Sequence, residues 1–76
     1  MITVKLYGLL RLDSGIKERQ LEAANVAQVL TFLENQGISR KALSGTVILV
    51  NGESATKRSK LNDGDVVQLL PPVAGG

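Results

Sequence analysis

Apolar and polar residues alternate over residues 2–7 near the start of the chain. A period of two is typical of a β-strand that buries one face, and the predicted buried residues are Ile2, Val4 and Leu6. Residues 16–22 predict a second strand, whose polar side chains suit the edge of a sheet. The turn signal Asp13-Ser14-Gly15 lies between them, so we expect the two strands to form a hairpin.

A helical period follows between Asn25 and Gly37. Four apolar residues are spaced i, i+3, i+4 and i+7, which places them on one stripe of a helix. They are Val26, Val29, Leu30 and Leu33. Asn25 is a favourable N-cap, Gln28 completes a capping box, and Gly37 is typical of a helix end. Phe32 falls about 120° from the centre of the stripe, so we expect it at the margin of the core or on the surface.

Two more strands are predicted around a tight turn. Residues 46–50 form an apolar, β-branched run that suits a strand covered on at least one face. Asn51-Gly52 is a strong tight-turn dipeptide. A short polar strand is therefore expected at residues 53–55.

The last strand is predicted at residues 65–70, where Gln68 marks the outer face. The inner positions are then Val67 and Leu69, and the outer positions are Val66 and Leu70. Pro71-Pro72 ends the strand, because proline has no N–H to donate to the sheet.

These elements predict an α+β fold. One helix covers only one face of a sheet, so we expect a mixed sheet of four to five strands with one main helix packed on one face. The last strand has apolar inner positions and is placed centrally, beside the first. The 76 residues suffice for one domain. It is predicted to span residues 1–72, followed by a flexible tail at residues 73–76.

Composition excludes several kinds of chemistry. The chain has no Cys and no His, so thiol nucleophiles, thiolate metal sites and imidazole bases are ruled out. No metal site and no bound cofactor are predicted. Tyr7 and Phe32 are the only aromatic residues, which argues against stacking on nucleic acid. No segment approaches the about 20 apolar residues of a membrane span, and no signal-peptide pattern is present. A cytoplasmic protein is expected.

Two clusters of charged residues have ordinary structural interpretations. Asp63 and Asp65 resemble a metal or acid–base pair, but such residues more often hold turns through backbone N–H groups. Lys57, Arg58 and Lys60 are typical of a solvated loop. Contact with an acidic partner or a phosphate-bearing substrate is the alternative for this basic cluster.

The chain as a whole resembles a known family. The evidence is the strand–strand–helix–strand–strand order, the Asn51-Gly52 turn, the segment Leu61-x-Asp63-Gly64-Asp65-x-Val67, and the ending Pro71-Pro72-Val73-Ala74-Gly75-Gly76. These features are similar to those of the ubiquitin-like sulfur carriers with the β-grasp fold, and most similar to the small subunits of molybdopterin synthase. Ubiquitin itself carries arginines before its glycines, and the thiamine-pathway carriers usually lack the two prolines.

The resemblance implies a covalent role for Gly76. A partner adenylating enzyme, itself similar to ubiquitin-activating enzymes, would use ATP to adenylate the terminal carboxylate. Sulfur from a donor such as a cysteine desulfurase or a rhodanese would then give a thiocarboxylate. In the molybdopterin branch, the large synthase subunit receives this tail. The sulfur passes to a pyranopterin, building the dithiolene that holds molybdenum or tungsten.

The tail residues suit insertion into a partner. Glycines such as Gly75 lack a Cβ and fit narrow tunnels, while Pro71 and Pro72 keep the start of the tail extended and reduce the entropy lost on threading. Residues 71–76 reach roughly 20 Å when extended. The predicted threading residues are Pro71, Pro72, Val73, Ala74 and Gly75.

A partner interface and three alternative functions stay open. Leu70, Val66, Tyr7 and Phe32 are either scattered surface hydrophobes or a docking patch, and the resemblance favours Leu70 as a contact. The alternatives are a carrier for thiamine, cysteine or tRNA thiolation, a protein modifier joined to lysines, and a non-covalent binding module. Terminal glycines taken alone are also typical of a disordered tail.

Overall fold

The computed structural model describes residues 1–71 of the chain. It contains five strands and three helices in the order β1 (Ile2–Leu6), α1 (Gly8–Ser14), β2 (Glu18–Leu21), α2 (Val26–Asn35), α3 (Arg40–Ser44), β3 (Val47–Val50), β4 (Glu53–Ser54) and β5 (Val66–Leu70). All five predicted strands and the main helix are present. No helix among these residues is long and apolar enough to cross a membrane.

The strands form one mixed sheet in the order β2-β1-β5-β3-β4. β1 and β5 are parallel, whereas β1–β2, β3–β5 and β3–β4 are antiparallel. The last strand therefore lies at the centre beside the first, as its apolar inner positions predict. The polar β2 lies at an edge, also as predicted.

The core lies between one face of the sheet and α2. Val4 pairs with Val67, and Leu6 pairs with Leu69. All four are buried, together with Ile2 on the same face of β1. The stripe of α2 covers them through its buried residues Val26, Val29 and Leu33. Each fully buried Val or Leu side chain contributes about 1.5–3 kcal/mol relative to an exposed one, so this two-layer contact holds the domain together.

The ends of α2 follow the predicted signals with one change. Asn25 Oδ1 accepts a hydrogen bond from the Gln28 backbone N–H at 2.9 Å, which confirms the N-cap. Gln28 Oε1 accepts from the N–H of Ala24 at 2.7 Å, rather than from Asn25 as a capping box would require. The helix ends at Asn35, and Gly37 has a φ of +98°, the left-handed region that favours glycine.

β1 and β2 pair antiparallel, as the predicted hairpin requires, but the connection is the helix α1 and not a turn alone. Gly15 is the C-cap of this helix, with a φ of +73°. Ser14 Oγ donates to the Leu10 carbonyl at 2.6 Å and accepts from the Ile16 N–H at 3.0 Å. The turn signal therefore marks the end of a helix. Leu10 is the one buried residue among the seven of α1. A single buried position cannot show a helical period in the sequence.

A third helix, α3, was not predicted at all. Ser39 caps it by accepting from the Ala42 N–H at 3.1 Å, and Leu43 anchors it in the core. Strand boundaries also shift by one or two residues. Tyr7 precedes α1 as its N-cap rather than extending β1, and the buried Ile16 comes before β2 begins.

Candidate functional site

The candidate site is the end of β5, where the chain leaves the sheet. β5 pairs with β1 on one side and β3 on the other, so the tail starts from the middle of the sheet. The Tyr7 N–H donates to the Leu69 carbonyl at 3.1 Å and joins the ends of β1 and β5. Pro71, the last residue described, is half-buried. The tail therefore starts from a fixed point.

Gly8 forms one wall of this exit. Its φ is +61°, and a Cβ placed on it would lie 2.7 Å from Pro71 Cγ and 3.2 Å from Pro71 Cδ. Cβ atoms do not approach other carbons to 2.7 Å without displacing them, because a well-packed interior leaves no slack. Glycine at this position thus lets the proline ring pack directly on the backbone at the start of α1.

The outer face of the sheet carries an apolar surface beside the exit. Val47 is paired with Leu70 and Leu49 with Gln68, and paired residues point to the same face. Gln68 Nε2 donates to Tyr7 Oη at 2.9 Å, which fixes the tyrosine on this face. We call this surface the outer-face patch; it comprises Tyr7, Val47, Leu49 and Leu70.

The structure brings two of the four predicted interface residues together. Tyr7 and Leu70 belong to the outer-face patch, and each is half-buried. Val66 shares this face but pairs with Thr3 at the other end of β5. Phe32 lies on α2, in the opposite layer, and packs against the core. It is at the margin of the core, as its helical position predicts, and apart from the other three. The tail residues Pro72, Val73, Ala74, Gly75 and Gly76 lie outside the described residues.

Sequence reasoning missed the contribution of α1. Gly8 directly follows the alternating residues 2–7, and its contact with Pro71 joins segments far apart in the chain. Leu9 and Leu12 are the most exposed leucines among the described residues, at 66% and 75%. The only local signal for them is the run of leucines that follows Gly8.

Asp65 holds a turn, as predicted, whereas Asp63 has a different role. Asp65 Oδ2 accepts from the Asn62 N–H at 2.8 Å, and Oδ1 accepts from Asn51 Nδ2 at 2.9 Å. These bonds, the Asn62 one first, hold the pKa of Asp65 below its ordinary value, because they favour the ionised carboxylate. Asp63 forms an ion pair with the amino group of Met1. Residues 1–71 contain no cluster of Asp and Glu suited to a metal ion.

The basic cluster of the sequence lies in the loop after β4. Lys57, Arg58 and Lys60 are all exposed. The Lys57 carbonyl accepts from the Ala27 N–H at 2.9 Å, which ties this loop to the first turn of α2. The loop is therefore held by its backbone while its charged side chains remain in solvent.

Fold and site together define a class of protein. One main helix grips a mixed sheet whose central strand leads into the tail, which is the ubiquitin-like β-grasp architecture. The sequence profile of the ThiS family matches residues 4–76. The chain belongs to the ThiS family, one of the ubiquitin-like sulfur carrier and modifier families.

Solved structures support this assignment over the whole chain. Small archaeal modifier protein 1 of Methanosarcina acetivorans is 28% identical, with a TM-score of 0.80 over 99% of this chain and 95% of that one. The Amycolatopsis orientalis BexX/CysO complex contains a chain 26% identical, with a TM-score of 0.76 and full coverage of both chains, 100% each. The complex of subunits 1 and 2 of molybdopterin-converting factor from Helicobacter pylori contains a chain that is 25% identical. Its TM-score is 0.76 over 99% of this chain and 97% of that one. Comparison with curated proteins returns no match.

Proposed function

We propose that the chain is a sulfur carrier whose reactive atom is the carboxyl carbon of Gly76, and that it serves as the small subunit of molybdopterin synthase. The observation that carries this proposal is the family match, which extends through the tail to Gly76. The geometry of the exit is consistent with it, because β5 lies at the centre of the sheet and Pro71, at its end, packs on Gly8.

The chemistry follows from the state of the terminal carboxylate. A terminal carboxyl group has a pKa of about 3.3–3.7, so it is ionised near neutral pH and is a poor acyl donor. Adenylation by a partner enzyme with ATP releases pyrophosphate and supplies AMP as a leaving group. The terminal sulfur of a persulfide on a cysteine desulfurase or a rhodanese then attacks the acyl carbon and displaces AMP, giving an acyl disulfide. A thiol reductant cleaves this disulfide, which releases the thiocarboxylate and leaves the donor sulfur in a disulfide with the reductant. The carrier acts as a co-substrate in this covalent chemistry and binds no cofactor itself.

The molybdopterin branch is favoured by the tail and by one structural relative. Pro71-Pro72 before Val-Ala-Gly-Gly is the feature that resembles the small synthase subunits. The Helicobacter pylori relative occurs in a complex of two molybdopterin-converting factor subunits. We propose that the tail of this chain likewise enters a large subunit and donates sulfur to a pyranopterin there. The reaction is placed in the cytoplasm.

A protein modifier is the second candidate. The similarity to an archaeal modifier protein favours it. In that case the same activated carboxylate would be joined to lysine amines of other proteins. Sulfur carriage for thiamine, cysteine or tRNA thiolation differs only in the acceptor. The chain in the CysO-containing complex has the same TM-score, 0.76, as the Helicobacter pylori chain. All of these functions require activation at Gly76.

The test is direct detection of the activated tail. The protein is incubated with ATP, the activating enzyme of the same organism and a sulfur donor. Any thiocarboxylate is trapped with an alkylating reagent, and the label is located by fragment mass spectrometry. We expect the label on Gly76 and none on a variant lacking Gly75-Gly76. A label elsewhere, or full function of the truncated variant, contradicts the proposal and supports a non-covalent binding module.

The acceptor is identified in a second step. The thiocarboxylated protein is mixed with the large synthase subunit and the cyclic pyranopterin precursor, and dithiolene formation is measured. Sulfur transfer supports the molybdopterin branch. High-molecular-weight conjugates on a blot, without such transfer, support the protein modifier instead.

A further inference from the structure

The solvent-facing side of α1 is an apolar surface that the proposed chemistry leaves unexplained. Leu9 and Leu12 are 66% and 75% exposed, whereas Leu10 between them is buried at 7%. Residues three apart are neighbours on a helix surface, so the two exposed side chains form one patch. Isolated surface leucines are common, but a pair on a seven-residue helix concentrates apolar area at one place.

This leucine pair lies beside the exit of the tail. The close packing of Pro71 on Gly8 places the first turn of α1 against the end of β5. Leu9 is the next residue, and Leu12 follows within one helical turn, which is about 5.4 Å long. Leu10 packs into the core, and the leucine pair lies on the exposed side of the same helix.

The short tail brings any enzyme that uses it close to α1. Residues 72–76 follow Pro71, and five residues span at most about 17 Å when fully extended. An active site that holds the carboxylate of Gly76 must therefore lie within that distance of Pro71. The body of such an enzyme then lies around the exit. Because α1 begins at the exit, the enzyme also lies next to the leucine pair.

We propose that Leu9 and Leu12 form a docking surface for the adenylating enzyme that receives the tail, in contact with an apolar area on that enzyme. This inference rests on the proposed function. The exposed side chains of Arg11 and Asp13 border the pair and give it the polar rim that is common around the apolar centre of a transient interface. Docking here orients the carrier so that its tail points into the active site.

The expected effect is on binding and not on chemistry. Leucine side chains carry no group that takes part in adenylation, so we expect removal of Leu9 and Leu12 to leave kcat for adenylation unchanged. Loss of two leucine contacts is expected to raise KM for the carrier about tenfold or more. A change confined to KM separates docking from a role in the chemical step.

The experiment compares two double variants of the full chain. L9Q/L12Q removes the apolar surface, whereas L9M/L12M keeps it. Gln, Met and Leu have similar helix propensities, so α1 is preserved in both. Pyrophosphate release by the activating enzyme is measured against carrier concentration, and urea unfolding checks that both variants fold. The single variants L9Q and L12Q replace the double variant if it does not fold.

We expect a raised KM for L9Q/L12Q and near wild-type kinetics for L9M/L12M. Equal KM values for L9Q/L12Q and wild type overturn the docking surface while leaving the proposed function intact. Wild-type protein that supports no pyrophosphate release overturns the proposed function itself. Concentration-dependent dimerisation of the wild type that is lost in L9Q/L12Q, measured by sedimentation, assigns the surface to a second copy of the chain and also overturns the docking proposal.

Discussion

Pro71 packs directly on Gly8, so closely that a Cβ on Gly8 would lie 2.7 Å from the proline Cγ. This contact joins the start of α1 to the end of the central strand. It fixes the direction in which the chain leaves the folded domain. Gly8, near the other end of the sequence, thus sets the point at which the chain leaves the domain.

Gly8→Ala is expected to impair both stability and tail presentation. Left-handed backbone costs a non-glycine residue about 1–2 kcal/mol, and the added Cβ also displaces Pro71. Gly15→Ala is the matched control, because Gly15 has a φ of +73° and nothing within 4 Å of its added Cβ. Both variants lower the free energy of unfolding in urea. We expect only Gly8→Ala to slow adenylation of the tail.

A second substitution tests whether the proline ring causes that slowing. In Gly8→Ala/Pro71→Ala the ring carbons Cγ and Cδ are gone, and only the residue 71 Cβ remains, at 3.7 Å, an ordinary contact distance. The double variant should therefore recover adenylation relative to Gly8→Ala, with Pro71→Ala alone as the reference. Equal rates in Gly8→Ala and Gly15→Ala would show that the contact has no role in presenting the tail.

Deletion of Gly75-Gly76 is expected to abolish activation and to leave the melting temperature almost unchanged. Among the described residues the buried core spans residues 2–69, and we expect the two glycines to add little to it, because glycine has no side chain to bury. Extension of the chain beyond Gly76 should block activation in the same way, since the carboxylate is then an amide. A large fall in melting temperature, or full activity of an extended chain that is not cleaved, argues against a terminal-carboxylate mechanism.

Substitution by alanine is expected to have opposite effects at Leu70 and Phe32: the first weakens partner binding and the second lowers stability. Leu70 lies in the outer-face patch beside the exit, so Leu70→Ala should weaken binding to the partner enzymes with little change in stability. Phe32 packs against the core from α2, so Phe32→Ala should lower the free energy of unfolding by about 1–3 kcal/mol and leave partner affinity unchanged. Titration calorimetry and urea unfolding measure the two effects. Weakened binding by Phe32→Ala would place that residue in the interface after all.

Asp65 should make stability depend on pH in the acid range. The hydrogen bonds from Asn62 and Asn51 lower the pKa of Asp65 in the folded state. The stabilisation is therefore fully present above the unfolded pKa, near 3.8, and is lost as the pH falls through the lower folded pKa. Asp65→Asn should be less stable than wild type at pH 7, and the difference should shrink toward pH 2. Glu53→Gln, exposed on β4, serves as the control in urea unfolding.

The long periodic elements were predictable because each carries its pattern within itself. The stripe of α2 and the inner positions Val67 and Leu69 follow from spacing alone, and their burial places β5 at the centre. The short helices α1 and α3 each bury one residue, Leu10 and Leu43. One buried residue gives no period to recognise, so both helices were missed.

The candidate site was predictable only in part, for a related reason. Alternation along β5 identifies Leu70 and Val66 as outward-facing, and pairing with β1 then brings Tyr7 beside Leu70 and Thr3 beside Val66. Phe32 is apolar and near the surface, but its layer depends on how α2 crosses the sheet. The contact between Gly8 and Pro71 depends on two distant segments meeting, which no local pattern in the sequence encodes.

The parallel pairing of β1 with β5 has a consequence for synthesis of the protein. These two strands come from opposite ends of the sequence. β1 therefore cannot pair with β5 until translation has passed Leu70. Contacts between such distant segments also form late in folding. Shortened products that stop before β5 lack both the central strand of the sheet and the strand end from which the tail leaves the domain. Only a finished domain can therefore offer its terminus to an activating enzyme.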